Sequence, residues 1–420
     1  MINDNSVKAV NQSIFDDVFC KPLYETYGFS QIPATIKGLF CGQQANKGLP
    51  LDTLIDSQRI YERVIVLFID GFGWRFLQNY LHQFPFLKRF LEKGVISKIT
   101  SQFPSTTVAH LTCMHTGQSV GQSGLYEWYY YEPLVDAVIC PLRFTYAKNA
   151  QPLKELAAKK IFSFPTLYEE LKGGGVSSHI FYHHSYASSP FSLETSRGAT
   201  IYAYESLTDA LSQLNQKVEL NSKGYFFLYL SQIDSVCHQY GPDSIELETI
   251  IRTYFADLEL ILGTHPLFSD PKTAVVLIAD HGQTATNPTE TFYVNLKIPE
   301  VIPYLMQNKN GELLIPAGSP RDFFLHVKQE SLEVAFLLLT QKLAGIARVY
   351  YTNTLIEQGL FGPLPLSSIF LNRVGNITIL PLEGQSVYWY EENSIENHFY
   401  GNHGGLGRDE METIFMIVDQ

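Results

Sequence analysis

Three uninterrupted runs of apolar residues mark the chain, and an aspartate follows each of them closely. The runs span residues 64–69, 225–230 and 274–279, and the aspartates are Asp70, Asp234 and Asp280. Strands that are apolar at every position suit a sheet buried on both faces, usually a parallel sheet covered by helices. Stretches of helical character lie between the runs, at 74–92, 164–172 and 244–262. This alternation predicts a doubly wound α/β fold, in which ligands bind beyond the carboxyl ends of the strands.

The pattern changes between residues 284 and 400, where proline and glycine are more frequent and short mixed segments alternate. We expect extended segments at 322–327 and 347–351 and a helix at 331–343, which together indicate a small α+β insertion. A last strand is expected at 413–418. The predicted organisation is a core of residues 1–283 and 401–420, with residues 284–400 as a cap subdomain.

Composition narrows the class of protein. Hydrophobic residues make up 45% of the chain and charged residues 17%, which excludes a disordered protein. The net charge of −12 argues against stable binding to nucleic acid, which usually needs a basic excess. The five cysteines are scattered without a CxxC pair, so neither a disulfide framework nor a thiolate zinc finger is expected. No apolar run approaches the roughly 20 residues that cross a bilayer, and we see no signal peptide, so we expect a cytoplasmic protein without a membrane partner.

Side chains of the types that bind divalent metal ions occur together near the predicted strand ends. His281 follows Asp280 directly, and His238 follows Asp234 by four residues, which is about one helical turn. Three carboxylates in one cleft would repel each other, and two divalent cations would balance them. Carboxylate and imidazole donors suit zinc, manganese or iron better than calcium. The candidate ligands are Asp70, Asp234, His238, Asp280, His281 and His403, with the pair His183–His184 as a weaker alternative.

A candidate nucleophile lies in the segment Ser105-Thr106-Thr107, just before a predicted helix at 108–115. A hydroxyl at a helix N-terminus often only caps the helix. The same position also attracts anions, and a hydroxyl bound to a divalent metal becomes a usable nucleophile near neutral pH. The residues alone leave all three hydroxyls open.

These segments together resemble the alkaline phosphatase superfamily, most closely its type I phosphodiesterase/nucleotide pyrophosphatase branch. The matching segments, in chain order, are FIDGFG (68–73), FPSTT (103–107) with HTG (115–117), DSVCHQYGP (234–242), ADHG (279–282) and NHGG (402–405). They extend over about residues 60 to 405, which is most of the chain. The resemblance implies an alkaline-phosphatase-like core, with a mostly parallel central sheet, helices on both faces and a small cap insertion.

The resemblance also implies residue roles. One zinc ion would be held by Asp70, Thr107, Asp280 and His281, and the other by Asp234, His238 and His403. Manganese is the alternative metal. Thr107 would attack phosphorus in line and form a covalent phospho-threonine that water then hydrolyses. The implied substrate is a small phosphorylated molecule such as a nucleotide or dinucleotide.

Two departures from the better-known nucleotide pyrophosphatases bear on the substrate. Val108 replaces an aromatic residue after the nucleophile, and Glu127-Trp128 stands where an asparagine would contact the phosphoryl group. Tyr126 and Trp128 are the candidate substrate contacts, although a strand or core patch is the more common explanation for such an aromatic run.

No lysine or arginine occurs between Lys98 and Arg143, which favours a diester or anhydride over a monoester dianion, unless Arg143 or Arg321 folds back. A phosphomonoesterase or mutase-like phosphotransferase is the alternative function, and a silent binding protein with the same fold is a third hypothesis.

Overall fold

The computed structural model describes residues 1–42, 47–266 and 270–419. A seven-stranded sheet forms the centre of this described part. Its strands, in chain order, are β1 (Arg63–Ile69), β2 (Val95–Thr100), β3 (Ser177–His183), β4 (Thr200–Tyr204), β5 (Gly224–Leu230), β6 (Thr273–Ile278) and β7 (Glu412–Val418). Their order across the sheet is β2-β7-β6-β1-β5-β3-β4. All are parallel to one another except β7, which runs antiparallel between β2 and β6. The predicted α/β fold with a mostly parallel sheet is confirmed.

The apolar runs are continuous because the sheet has a hydrophobic core on each face. Successive side chains of a strand point to opposite faces. In β1, Val64, Val66 and Phe68 belong to one core, and Ile65, Leu67 and Ile69 belong to the other. Both faces are covered by helices, and the longer helices outside residues 284–400 are Asp4–Gln12, Ile32–Cys41, Trp74–Tyr80, Pro85–Lys93, Thr107–Thr116, Leu167–Gly173, Leu207–Leu220, Gln232–Tyr240 and Ile245–Leu258.

The helical predictions are correct in place but not in every boundary. The segment expected as one helix at 74–92 is two helices, because Pro85 starts a new helix instead of continuing the first. The segment at 164–172 starts its helix only after Thr166, whose side chain accepts a hydrogen bond from the N–H of Glu169. The segment at 244–262 is helical from Ile245 and ends in a π-helical turn, Glu259–Gly263.

Residues between 284 and 400 contain a second, smaller sheet, as the sequence predicts. Its strands, in spatial order, are Gly318–Ser319, Asp322–Leu325, Ile377–Pro381 and Ala347–Tyr351, and the helix Leu332–Lys342 packs beside them. A third hydrophobic core fills this unit. Phe324 and Leu380 nevertheless belong to the core of the main sheet, so the insertion is packed firmly against it.

A three-stranded sheet lies between the helix Thr107–Thr116 and β3 along the chain, and its strands are Tyr130–Glu132, Ala137–Cys140 and Thr145–Tyr146. All five cysteines carry free thiols. None of the helices in the described ranges is long and apolar enough to cross a membrane.

Candidate metal centre

The topology of the sheet brings two of the predicted aspartates together. β1 lies between β5 and β6, so the residues that follow these parallel strands meet at one edge. The N–H of Asp70 donates to the carbonyl of Leu230 at 2.9 Å, and the N–H of Gly71 donates to Asp280 Oδ1 at 3.1 Å. Asp70 and Asp280 thus face each other across the strand ends, as the sequence predicts.

A first cluster of metal-ligand side chains is made of Asp70, Asp280 and His281, and all three are buried. His281 Nε2 lies 3.1 Å from Asp280 Oδ2 and 3.4 Å from Asp70 Oδ1. The hydroxyl of Thr107 completes the group, at 3.3 and 3.4 Å from the two Asp70 oxygens and 3.4 Å from His281 Nε2. These separations exceed ordinary hydroxyl hydrogen bonds, and they suit ligands arranged around a common cation.

A second cluster contains Asp234, His238 and His403. Asp234 and His238 occupy one face of the helix Gln232–Tyr240, one turn apart, with His238 Nε2 3.4 Å from Asp234 Oδ2. His403 comes from the other end of the chain and places its Nε2 3.6 Å from Asp234 Oδ1 and 3.2 Å from His238 Nε2. The two clusters are neighbours, because the rings of His281 and His403 stack with centroids 3.6 Å apart.

The histidines are oriented as metal ligands. The Nδ1 atoms of His238, His403 and His281 lie 2.7, 2.8 and 3.0 Å from the backbone carbonyls of Gly401, Ser105 and Gly282 respectively. A carbonyl only accepts, so each Nδ1 carries a proton, and the neutral form of each ring would offer its Nε2 lone pair to a cation. Histidines that bind a metal usually donate their other ring N–H to a carbonyl or carboxylate in this way. In the second cluster, two such lone pairs face each other at 3.2 Å, which a shared cation stabilises.

The carboxylates also fit cations. Asp280 Oδ2 is buried and accepts no hydrogen bond within the described part of the chain. Burial, together with the charges of Asp280 and Asp234, holds the pKa of Asp70 well above its usual range. Burial and the neighbouring imidazoles of His281 and His238 hold the pKa of His403 well below its usual range. Divalent cations stabilise ionised carboxylates and neutral imidazoles alike, so the residues present fit two such ions.

Of the three candidate hydroxyls, only that of Thr107 faces the first cluster. Ser105 Oγ donates to the carbonyl of Gly405 at 2.9 Å and accepts from the N–H of Gly404 at 3.1 Å. Thr106 Oγ1 donates to the carbonyl of Tyr126 at 3.0 Å. Both hydroxyls are therefore engaged with backbone, whereas Thr107 begins the helix Thr107–Thr116 with its hydroxyl among the candidate ligands.

The loops that carry His281 and His403 are held by one buried acid. Glu410 is completely buried, and its Oε1 accepts from the N–H of Gly405 at 3.0 Å while its main-chain carbonyl accepts from the N–H of Gly282 at 2.9 Å. A Cβ on Gly282 would lie 2.1 Å from the carbonyl oxygen of Asp409, so only glycine allows this close approach.

The two arginines that the sequence offers as phosphate clamps have different surroundings. Arg321 is only 1% exposed and forms a two-bond ion pair with Glu410, at 3.0 and 2.8 Å, so it does not fold back to the centre. Arg143 is exposed and lies over the ring of Trp128, with Cζ 5.3 Å from the ring centroid.

The two expected substrate contacts, Tyr126 and Trp128, also differ in how far they are buried. The ring of Tyr126 is fully buried and packs on Tyr130, Phe324 and Phe370, which makes it a core residue with no face for a ligand. Trp128 is half-buried. Glu127 between them is completely buried, and burial raises its pKa to about 8. His184 lies 2.8 Å from Glu205 and His183 bonds Ser185, and neither belongs to the clusters above.

The sequence by itself does not identify three residues that contact the candidate metal ligands or the loops that carry them. The hydroxyl of Tyr229 donates to Asp70 Oδ2, and the side-chain amide of Gln283 donates to Asp234 Oδ1 at 2.5 Å. Glu410 supports both histidine loops. Tyr229 belongs to an apolar strand run and the other two are ordinary polar residues, so only their spatial neighbours reveal them.

Comparison with known proteins identifies the family. The sequence model of the family "Type I phosphodiesterase / nucleotide pyrophosphatase" matches residues 64–406. No curated protein matches the chain. Among solved structures, murine ectonucleotide pyrophosphatase/phosphodiesterase 5, as an inactive threonine-to-alanine variant in complex with AMP, superposes with a TM-score of 0.63 and 16% identity, covering 85% of this chain and 88% of its own. The human protein of the same name gives a TM-score of 0.62 and 17% identity, covering 85% of this chain and 87% of its own.

The structural likeness, at this level of identity, confirms the fold, and the family match spans most of the chain. The chain belongs to the type I phosphodiesterase/nucleotide pyrophosphatase family and is a hydrolase of that family.

Proposed function

We propose that this protein cleaves phosphodiester or phosphoanhydride bonds of small phosphorylated substrates, with Thr107 as the nucleophile and two divalent cations as cofactors. The observation that carries the proposal is the position of the Thr107 hydroxyl, 3.3 to 3.4 Å from Asp70 and His281 and next to the second cluster of ligands.

We assign Asp70, Thr107, Asp280 and His281 to one cation, and Asp234, His238 and His403 to the other. The mixture of carboxylate and imidazole donors favours zinc, with manganese as the alternative. Bound divalent cations lower the pKa of a coordinated hydroxyl or water and offset the negative charge that develops on the phosphoryl oxygens.

The residues of the chain supply the remaining chemistry. The first N–H groups of the helix Thr107–Thr116 have no carbonyl partners within the helix, and we assign them to a phosphoryl oxygen because a helix N-terminus favours a bound anion. Thr107 loses its hydroxyl proton to a water molecule, its Oγ forms a bond to phosphorus, and the leaving oxygen departs with the electron pair of the bond that breaks. Water then displaces Thr107 from phosphorus and restores the hydroxyl.

The charges near Thr107 support a diester or an anhydride as the substrate. A phosphate monoester dianion usually needs an arginine that binds it through two hydrogen bonds. Arg321 and Arg373 are buried and already pair with Glu410 and Glu132, at 2.8 and 2.6 Å. A substrate monoanion needs less positive charge, which two cations and a helix N-terminus supply.

A nucleotide is the proposed substrate class. The murine relative was solved with AMP, and its inactive form carries an alanine in place of a threonine. Both points support, for this chain, a nucleotide ligand and a threonine nucleophile. The cytoplasmic location and the cap formed by residues 284–400 stay predictions of the sequence, which cell fractionation and limited proteolysis would test.

Activity on two chromogenic esters tests the proposal. We expect the zinc-loaded protein to hydrolyse bis-p-nitrophenyl phosphate faster than p-nitrophenyl phosphate, and chelation to abolish both activities until zinc is restored. Faster turnover of the monoester would favour the phosphomonoesterase or phosphotransferase alternative instead.

Substitution of the nucleophile tests the role of Thr107. Thr107→Val keeps the shape of the side chain and removes the hydroxyl, so we expect turnover to fall to background. Thr106→Val is the matched control one residue earlier, and we expect it to keep most of the activity. Retained turnover in Thr107→Val with loss in Thr106→Val would move the nucleophile to Thr106.

A further inference from the structure

Arg143 differs from the other arginines of the described residues because it has no carboxylate partner. Within the described residues, every other arginine has a guanidinium nitrogen within 4.0 Å of a carboxylate oxygen: Arg59, Arg63, Arg75, Arg89, Arg197, Arg252, Arg321, Arg348, Arg373 and Arg408. Arg143 has no such partner in ranges 1–42, 47–266 and 270–419. Acidic residues outnumber basic ones 42 to 30, so an arginine without a carboxylate is not explained by a lack of acids.

Arg143 is nevertheless held in place. It lies in the turn between the strands Ala137–Cys140 and Thr145–Tyr146, where the N–H of Phe144 donates to the carbonyl of Pro141 at 3.2 Å. Its guanidinium covers the ring of Trp128, with Cζ 5.3 Å from the centroid. Such contact with a tryptophan face is favourable for a cation and leaves the in-plane N–H donors at the guanidinium edge free.

The tryptophan that holds Arg143 is anchored next to the nucleophile. Thr106, adjacent to Thr107, donates its hydroxyl to the carbonyl of Tyr126 at 3.0 Å. Trp128 is two residues further along the chain, a span of at most about 7 Å. The backbone of Trp128 therefore lies within about 10 Å of the Thr106 hydroxyl, and its half-buried ring carries the guanidinium of Arg143.

Three other basic residues, Lys98, Arg321 and Arg373, are buried in ion pairs and are not available to bind a ligand. Lys98, the preceding basic residue in the sequence, is buried and lies 2.7 Å from Glu412. Arg321 and Arg373 are buried ion-pair partners of Glu410 and Glu132. Of these four basic residues, Arg143 is the exposed one, and it has no carboxylate partner in the described ranges, so it is the one able to bind a negatively charged part of a substrate.

We propose that Arg143, held on the face of Trp128, binds a second anionic phosphoryl group of the substrate, joined through the anhydride link to the phosphorus that Thr107 attacks. The inference rests on the proposed function and narrows it: nucleoside polyphosphates and other phosphoanhydrides are better substrates than nucleotide esters whose leaving group carries no phosphoryl group. An arginine binds phosphate through two parallel N–H···O bonds, which suits a terminal or bridging phosphoryl group.

Two thymidine nucleotides provide the test, because they share the nucleoside and the scissile phosphorus. Thymidine triphosphate carries further phosphoryl groups, whereas the p-nitrophenyl ester of thymidine monophosphate does not. We expect Arg143→Met to lower kcat/KM for the triphosphate about tenfold more than for the ester, mainly through KM. Arg143→Lys should give an intermediate loss because it keeps a charge but not the fork of donors.

Arg348→Met is the matched control, since Arg348 is half exposed in the small sheet and only 4.0 Å from its partner Asp16. It should leave the preference between the two nucleotides unchanged. Equal losses for both nucleotides in Arg143→Met, or no loss for either, would overturn the inference.

Equilibrium binding separates this inference from the proposed function. In the Thr107→Val background, Arg143→Met should weaken binding of thymidine triphosphate about tenfold and binding of the ester much less. If the wild-type protein hydrolyses neither nucleotide, the proposed function fails while binding still decides the role of Arg143. Unchanged triphosphate binding overturns the role of Arg143 whatever the hydrolysis shows.

Discussion

Replacement of Arg321 by methionine tests whether one buried ion pair positions both metal sites. Arg321 and Glu410 are 1% and 0% exposed, and two N–H···O bonds of 3.0 and 2.8 Å join them. Arg321 also donates to the carbonyl of Leu382 at 2.8 Å. Methionine replaces the apolar stem of the arginine, so the substitution chiefly leaves the Glu410 carboxylate buried without its counter-ion.

The expected loss of stability follows from that unpaired charge. Removal of one partner of a buried ion pair typically costs about 3–5 kcal/mol. We expect Arg321→Met to lower the free energy of unfolding by that amount. The double variant Arg321→Met/Glu410→Gln should be more stable than Arg321→Met by on the order of 2 kcal/mol, because glutamine removes the buried charge and keeps an acceptor for the N–H of Gly405.

Metal affinity should fall as well, because Glu410 accepts hydrogen bonds from the two loops that contain the candidate ligands His281 and His403. Gly405 and Gly282, which donate to Glu410, are close neighbours of His403 and His281 in the chain. Loss of such support around a metal site typically costs 10- to 100-fold in affinity. We therefore expect zinc to bind Arg321→Met about 10- to 100-fold more weakly than the wild-type protein.

Urea unfolding of the metal-free proteins measures the first effect, and zinc competition with a chromogenic chelator measures the second. Arg373→Met is the matched control, because Arg373 is equally buried, pairs with Glu132 at 2.6 Å and donates to the carbonyl of Gly124 at 3.0 Å. It should lose comparable stability but keep zinc affinity near wild type. A change below about 1 kcal/mol in Arg321→Met would refute the ion-pair reasoning, and equal zinc loss in both variants would refute the positioning role.

Three further predictions concern the surroundings of the metal centre. Tyr229→Phe removes the hydroxyl that donates to Asp70, so zinc affinity should fall by about tenfold while the fold is kept, as chelator competition and circular dichroism would show. The pKa of Glu127 is raised by burial to about 8, from an ordinary value of 4.5, so the native protein keeps a proton that the unfolded chain has already lost. The free energy of unfolding of the metal-free protein should therefore decrease between about pH 4.5 and pH 8, and Glu127→Gln should flatten that dependence in urea titrations. Gly404→Ala places a Cβ 2.6 Å from Asp322 Oδ1, at a φ of +124°. The substitution should therefore displace the loop that contains His403 and lower the zinc content at the second cluster. Full zinc occupancy, measured by elemental analysis, would contradict this prediction.

Local patterns of residues identify much of this protein because they report on local structure. A run of apolar residues without alternation requires burial on both faces, and the strands β1, β5 and β6 are where such runs occur. The spacing of Asp234 and His238 places them one helical turn apart wherever that helix lies. The motifs, taken in order, indicate the family that the comparison with known proteins confirms. Even the break in the helix predicted at 74–92 had a visible signal in Pro85.

Other features depend on contacts between distant parts of the chain, and no local pattern contains them. Which hydroxyl of the nucleophile segment faces the ligands depends on Gly404 and Gly405, about 300 residues away, which engage Ser105 instead. Arg321, a candidate phosphate clamp by residue type, is an internal ion-pair partner because Glu410 lies beside it.

The sequence by itself therefore determined the fold class, the elements that carry the candidate ligands and the family. The tertiary structure alone decided that the two clusters of candidate ligands adjoin, which residues support them, and which arginine has no carboxylate partner within the described residues. The physical reason is that backbone periodicity repeats over two to four residues, whereas a site assembled from strand ends and a returning C-terminal loop exists only once the whole sheet has formed.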